Sequence, residues 1–208
     1  MNVNQLRDRI LDLCHGEPNP DTALQQKALG WLNSAYRQLI DEISPYSPRY
    51  LTGEMTVDIT NGGAVLPSDV GRISCVSRTN GTVLLPLTHL DVLRSYPTPY
   101  VGYAAHYAVL GNQLKLYPQE TTTVRILYSR IPADLNDDTQ EAALLLPKPY
   151  HEALIWGGLV WASTFERGLN SQAEILLFQR KWDEARQNIK LSCLAETAAL
   201  RVGTFHLV

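Results

Sequence analysis

Residues 153–162, "ALIWGGLVWA", run for ten positions without a charged side chain and carry two tryptophans and a Gly-Gly pair. A helix of ten residues spans about 15 Å, half the hydrocarbon thickness of a bilayer. His151 and Glu152 before the run, and Glu166 and Arg167 after it, close it off. The stretch therefore predicts a helix buried at the centre of a protein rather than a membrane span. Gly157 and Gly158 each cost on the order of 1 kcal/mol in helix propensity, which predicts that another backbone approaches closely there.

Such a helix needs cover, and the two ends of the chain supply it. In "VNQLRDRILDLC" Leu6, Ile10 and Leu13 share one helical face, and Gly16, Pro18 and Pro20 stop the helix. Asp21 or Thr22 caps a longer helix to about Ile43, with Leu24, Ala28, Trp31, Ala35, Leu39 and Ile43 as its apolar stripe. Past Gly168, residues 171–195 place Ile175, Leu176, Phe178, Trp182, Ala185, Ile189 and Leu194 among charges, an amphipathic mate for the apolar helix.

Between the helical ends the period changes. "EMTVDIT", "VGRISCVSR", "YAVLGNQLKLYP" and "TTTVRILYS" alternate with Gly, Asn and Pro punctuation, and Asn80-Gly81 and Gly111-Asn112 mark hairpins. Five or six strands and a short helix over 88–95 are expected. The predicted fold class is α+β: a helical bundle, made of N-terminal helices and a C-terminal helical hairpin, with a small antiparallel β-module inserted. The expected division is 1–48 with 146–199 as the helical domain, 49–145 as the β-module, and 200–208 as a docking tail.

Recognised chemistry is not found at the expected spacings. "HEALI" at 151–155 has Ile155 where a zinc-protease helix needs a second histidine. The acidic stretch 134–145 has Thr139 where a calcium loop needs glycine and Leu145 where it needs glutamate. There is no GxGxxG, Walker loop or GxSxG. Cys14, Cys75 and Cys193 are far apart and read as reduced, mostly buried thiols of a protein made in the cytoplasm. The reading is of a non-enzyme, with no metal and no cofactor. The charged N-terminus has no secretory apolar core. A net charge of −3 over 208 residues opposes a protein that grips nucleic acid over its whole surface.

The order of parts carries a resemblance. A "LGWLNSAYRQLIDEI" helix comes first, and "LPSD" at Leu66–Asp69 precedes a strand. A glycine-centred hairpin then reaches a proline, Gly111 to Pro118, and a tyrosine strand enters an acidic loop, Tyr128 to Asp138. Finally "LPKPYHEAL" at Leu146–Leu154 opens the long apolar helix. From about residue 20 to 195 this succession resembles the head-to-tail adaptor (connector) proteins of tailed bacteriophages. The resemblance implies a virion protein of the neck at the head–tail junction, stacked beneath the portal protein as a cyclic homo-oligomer of about twelve subunits. It implies a tail, stopper or nozzle protein on the other side and a channel in which genomic DNA makes only transient, non-specific contact.

Two segments are too apolar for solvent. "YPTPYVGYAAHY" brings Tyr96, Tyr100 and Tyr103 into one loop, as interfaces favour, although packing on its own β-module would also account for it. The last residues carry Arg201, Phe205, Leu207 and Val208, expected to dock on the portal or a neighbouring subunit, as an added strand in one version. Two other readings compete. A tail-completion or stopper protein of the same neck would be smaller and lack the apolar helical hairpin. A small DNA-binding regulator would read duplex with Arg180, Lys181, Arg186 and Lys190, but Glu174, Asp183 and Glu184 on the same helix suit a solvated face.

Overall fold

The computed structural model describes residues 1–15, 21–46, 48–96, 100–139, 144–165 and 171–203, giving backbone alone for 15, 93 and 197–203. The chain falls into two compact units, Met1–Leu51 with Pro132–Val208, and Thr52–Ile131. Among the described residues the first unit holds α1 (Val3–His15), α2 (Thr22–Ile43), α4 (His151–Phe165) and α5 (Gln172–Gly203), and the second holds α3 (His89–Ser95) and all the strands. The segment 132–145 goes with the helices.

In the helical unit α4 is the central element. Ala153, Leu154, Ile155, Leu159 and Ala162 are buried against Leu6 and Ile10 of α1, Ala28, Trp31, Ala35 and Leu39 of α2, and Trp182 and Ile189 of α5. The glycine pair is where neighbours come closest. A Cβ on Gly157 would stand 2.7 Å from Ala35 Cβ and 3.0 Å from the Trp182 ring, and one on Gly158 would fall on the Ile10 side chain. Side chains, not a bare backbone, make that approach. Asp21 caps α2 by accepting from the Leu24 N–H at 2.7 Å. On α5 the apolar stripe is narrower than its periodicity predicts: Phe178, Trp182, Ile189 and Cys193 are buried, while Leu176, Leu191 and Leu194 face out.

The acidic stretch after the strands is fastened to the helices. Asn33 receives the Leu135 N–H (2.7 Å) and donates to the Leu135 carbonyl (2.9 Å), while Arg37 pairs with Asp134 and Arg7 with Asp137. Of the oxygens at alternate positions 134, 136 and 138, Asp134 serves as an ion-pair partner and Asn136 Oδ1 accepts from the Asp138 N–H and the Thr139 hydroxyl within the loop. His151 is buried, its Nε2 2.9 Å from the Leu146 carbonyl, and orients the entry to α4.

The strand region corrects the predicted fold class. It is not a small antiparallel module inserted in a helical bundle but a seven-stranded mixed sheet nearly closed into a barrel. The strands are β1 (Thr52–Ile59), β2 (Gly63–Val65), β3 (Val70–Arg78), β4 (Val83–Pro86), β5 (His106–Leu110), β6 (Gln113–Tyr117) and β7 (Thr122–Arg130), in the order β1-β7-β3-β4-β5-β6-β2. Hairpin logic finds β3–β4 at Gly81 (φ +88°) and β5–β6 at Gly111 (φ +63°). It cannot find β4–β5, which run parallel with Leu85 opposite His106. A parallel pair needs a crossover of a dozen or more residues, and the connection carrying α3 supplies it. β2 is only three residues long, too short for alternation to mark it in the sequence. Ile59, Val76, Leu84, Tyr107, Leu114, Leu116, Val124 and Ile126 fill the barrel.

Candidate interaction surfaces

The tyrosine-rich loop is built on the strand unit by polar bonds to its backbone. Thr88 opens α3 with a capping box: its hydroxyl receives the Asp91 N–H, and the Asp91 carboxylate receives the Thr88 N–H, both at 3.2 Å. The helix delivers Tyr96 to the sheet, where its hydroxyl lies 3.0 Å from His106 Nδ1 and its ring packs near Tyr117 and Tyr100. Beyond that point the chain is tied to the segment after β6. The Gln119 N–H donates to the Tyr100 carbonyl (2.9 Å), the Gly102 N–H to the Gln119 carbonyl (3.0 Å), and the Ala104 N–H to the Glu120 carboxylate (2.6 Å).

Arg78 holds this arrangement from beneath. Only 6% exposed, it bonds Glu120 through two nitrogens at 2.8 and 2.5 Å and donates to the Ala104 carbonyl at 2.7 Å. The same guanidinium lies 3.7 Å from the centroid of the Tyr103 ring. Its hydrogen bonds hold the Glu120 carboxyl below the ordinary glutamate range, and Glu120 in turn raises Arg78. Both groups stay charged at neutral pH.

On this fixed backbone Tyr100 is 54%, Val101 85% and Tyr103 65% exposed. Sequence reading named the two tyrosines but missed Val101, whose signal was its place in "YVGY". It also missed Arg78 and Glu120, which lie far apart in sequence. Tyr107 of the same segment is core, and Tyr96 is half-buried. Pro97 and Pro99 lie outside the described residues.

The helical unit has its own exposed apolar surface. Trp161 and Phe165 stack at 5.6 Å with planes 9° apart, and Phe165 is 65% exposed. Trp161 borders a groove of about 390 Å³ lined also by Val160, Gln179, Trp182 and Arg186. The basic residues of α5 face acids: Arg180 meets Glu184 at 2.9 Å, Lys190 meets Glu42 at 2.7 Å, and Arg186 pairs with both Asp183 and Glu42. Burial alone would raise the Glu42 carboxyl, but Lys190 and Arg186 hold it below its usual range. Among tail candidates, Arg201 lies in the last turns of α5 with its side chain undescribed, and Phe205, Leu207 and Val208 lie outside the described residues.

Among the described residues no group of three or more histidine, cysteine or acidic side chains is placed to hold a metal ion, and no helix is long and apolar enough to cross a membrane. Cys193 Sγ and the Tyr50 hydroxyl lie 3.1 Å apart, and burial raises the pKa of both groups.

No curated protein gives a significant match to the chain. A family model described as SU10 adaptor protein matches residues 1–202, nearly the whole length and both units. By that match the chain belongs to the SU10 adaptor family of phage head-to-tail adaptor proteins.

Proposed function

We propose that this chain is a non-enzymatic structural subunit of a phage neck, forming a cyclic homo-oligomeric ring between the portal and the next tail or stopper component and lengthening the channel for DNA. The observation that carries this reading is the Tyr100–Val101–Tyr103 surface. Exposed aromatic and aliphatic side chains on a backbone already fixed by hydrogen bonds lose little entropy when a partner covers them, and such anchors dominate interface energies. The portal or a neighbouring subunit is the partner assigned to them, and the apolar tail from Leu200 to Val208 is assigned a second contact of the same kind. The paired basic residues of α5 leave little free positive charge there for phosphate, which suits a wall past which DNA slides.

Quantitative mass spectrometry of purified, nuclease-treated virions tests the placement. A ratio near one chain per portal subunit is expected. Absence from the particle overturns the reading.

A further inference from the structure

The barrel does not close. β1 pairs with β7 through all eight residues from Thr52 to Ile59, but β1 and β2 occupy opposite ends of the strand order and meet only at the Thr60–Gly63 bridge. That bridge fixes which way β1 points its polar groups. Thr60 exchanges both backbone bonds with Gly63, at 3.2 and 3.1 Å, so its N–H and C=O point away from β7. Backbone direction alternates along a strand, so the N–H and C=O of Asp58, Thr56 and Glu54 point the same way, into the seam. Among the described residues no backbone hydrogen bond reaches them from that side.

The side chains along this edge alternate as strictly. Glu54, Thr56 and Asp58 are exposed, whereas Met55 and Val57 turn inward and remain only partly buried. Glu54 directs one carboxylate oxygen at Arg125, and Asp58 accepts from the Thr123 hydroxyl at 2.6 Å. Glu54 Oε2 and Asp58 Oδ2 have no partner among the described residues.

We propose that this open edge of β1 is a docking site for an extended strand of another protein, one that alternates apolar with basic side chains. Main-chain bonds to Glu54, Thr56 and Asp58 would add it to the sheet. Its apolar residues would finish covering Met55 and Val57, and its basic residues would lie beside the two acids. Charge selects the occupant. If β1 of a second copy docked antiparallel about Thr56, each Glu54 would face the other copy's Asp58, placing acid against acid twice. Like charges directly opposite each other destabilise a strand pair, so the edge disfavours its own copy while staying open to a basic strand. The assignment stands whether or not the chain forms a ring.

The test uses the full chain and a short blocked peptide alternating lysine with valine, with a glutamate–valine peptide as control. Hydrogen exchange at the Glu54, Thr56 and Asp58 amides should slow with the lysine peptide and not with the glutamate one. Thr56→Pro removes an N–H that the β7 ladder does not use, so the fold should survive, as tyrosine circular dichroism would report. Binding should weaken by about tenfold or more, the effect of one lost hydrogen bond plus the proline ring. Should that variant misfold, Glu54→Lys with Asp58→Lys serves instead and should reverse the preference between the peptides. Equal binding of both peptides, protection elsewhere, or unchanged affinity in the variants would overturn the proposal. Concentration-dependent protection of these amides in the chain alone would overturn it in favour of a second copy.

Discussion

The apolar helix α4 and the tyrosine loop are both unusually rich in aromatic and aliphatic side chains, yet they are held in opposite ways. α4 is fixed by contact: its glycines admit Ala35, Ile10 and Trp182 where any side chain would intrude. The loop is fixed by polar bonds from Arg78, Gln119 and Glu120, which leaves its apolar side chains uncovered. Packing spends the hydrophobic surface inside the fold. Pinning the backbone from beneath leaves that surface exposed. A hydrophobic stretch is thus neither core nor interface by composition; what bonds its backbone decides.

The difference can be broken from either side, and the tryptophans help, since all four (Trp31, Trp156, Trp161 and Trp182) belong to the helical unit. Tryptophan emission therefore follows that unit, and tyrosine circular dichroism follows chiefly the strands. The largest effect is expected for Glu120→Ala, which strands the buried Arg78 charge and should cost about 3–5 kcal/mol. A urea titration should show it in the tyrosine signal, and an unchanged midpoint there would refute the role given to the pair. Gly157→Ala should follow, at about 1–3 kcal/mol of overpacking against Ala35, partly offset by better helix propensity. Its signature is a lower midpoint in tryptophan emission.

Acid should act on the loop through Glu120. Glu120 titrates below its ordinary value, so its stabilisation is fully present above the unfolded glutamate pKa of about 4.3 and fades as pH falls through the lower folded value. Hydrogen exchange at Ala104 should quicken over that window in the wild type and show no such step in Glu120→Gln. The smallest effect on stability is expected for Tyr103→Ala, about 0.5–1 kcal/mol from the exposed cation–π contact. Its effect on incorporation into virions should nonetheless be large. A variant that assembles normally would remove Tyr103 from the interface.

Much of the helical unit was legible because a period of 3.6 is a local property. Ala28, Trp31, Ala35, Leu39 and Ile43 are buried as their spacing predicts. The strand unit was legible only at its hairpins. The parallel β4–β5 pair and the near-closure of the sheet depend on residues far apart in sequence, and alternation says nothing about which strand lies beside which. The tyrosine loop fell between the two. Its stickiness was plain, but which tyrosines face out is set by Arg78 reaching Ala104 and Glu120, a choice no local pattern encodes. The outward rotation of Leu176 and Leu194 escaped notice for a related reason: on a long helix with leucines on several faces, only the neighbour's position tells which are covered.

The helical unit is discontinuous: α1 and α2 precede the strands, while α4 and α5 follow them. On the ribosome, α2 is complete at Ile43, but its central partner does not begin until His151. At ordinary elongation rates that interval is roughly 5–20 s. Throughout it the stripe of Trp31, Ala35 and Leu39 lacks the helix that covers it, while the strands from Thr52 to Arg130 are already available to pair. The strands can therefore pair first, while the nascent chain carries two helices with uncovered apolar faces until α4 emerges. That delay leaves apolar surface uncovered during synthesis, a cost of splitting one core across both ends of the chain.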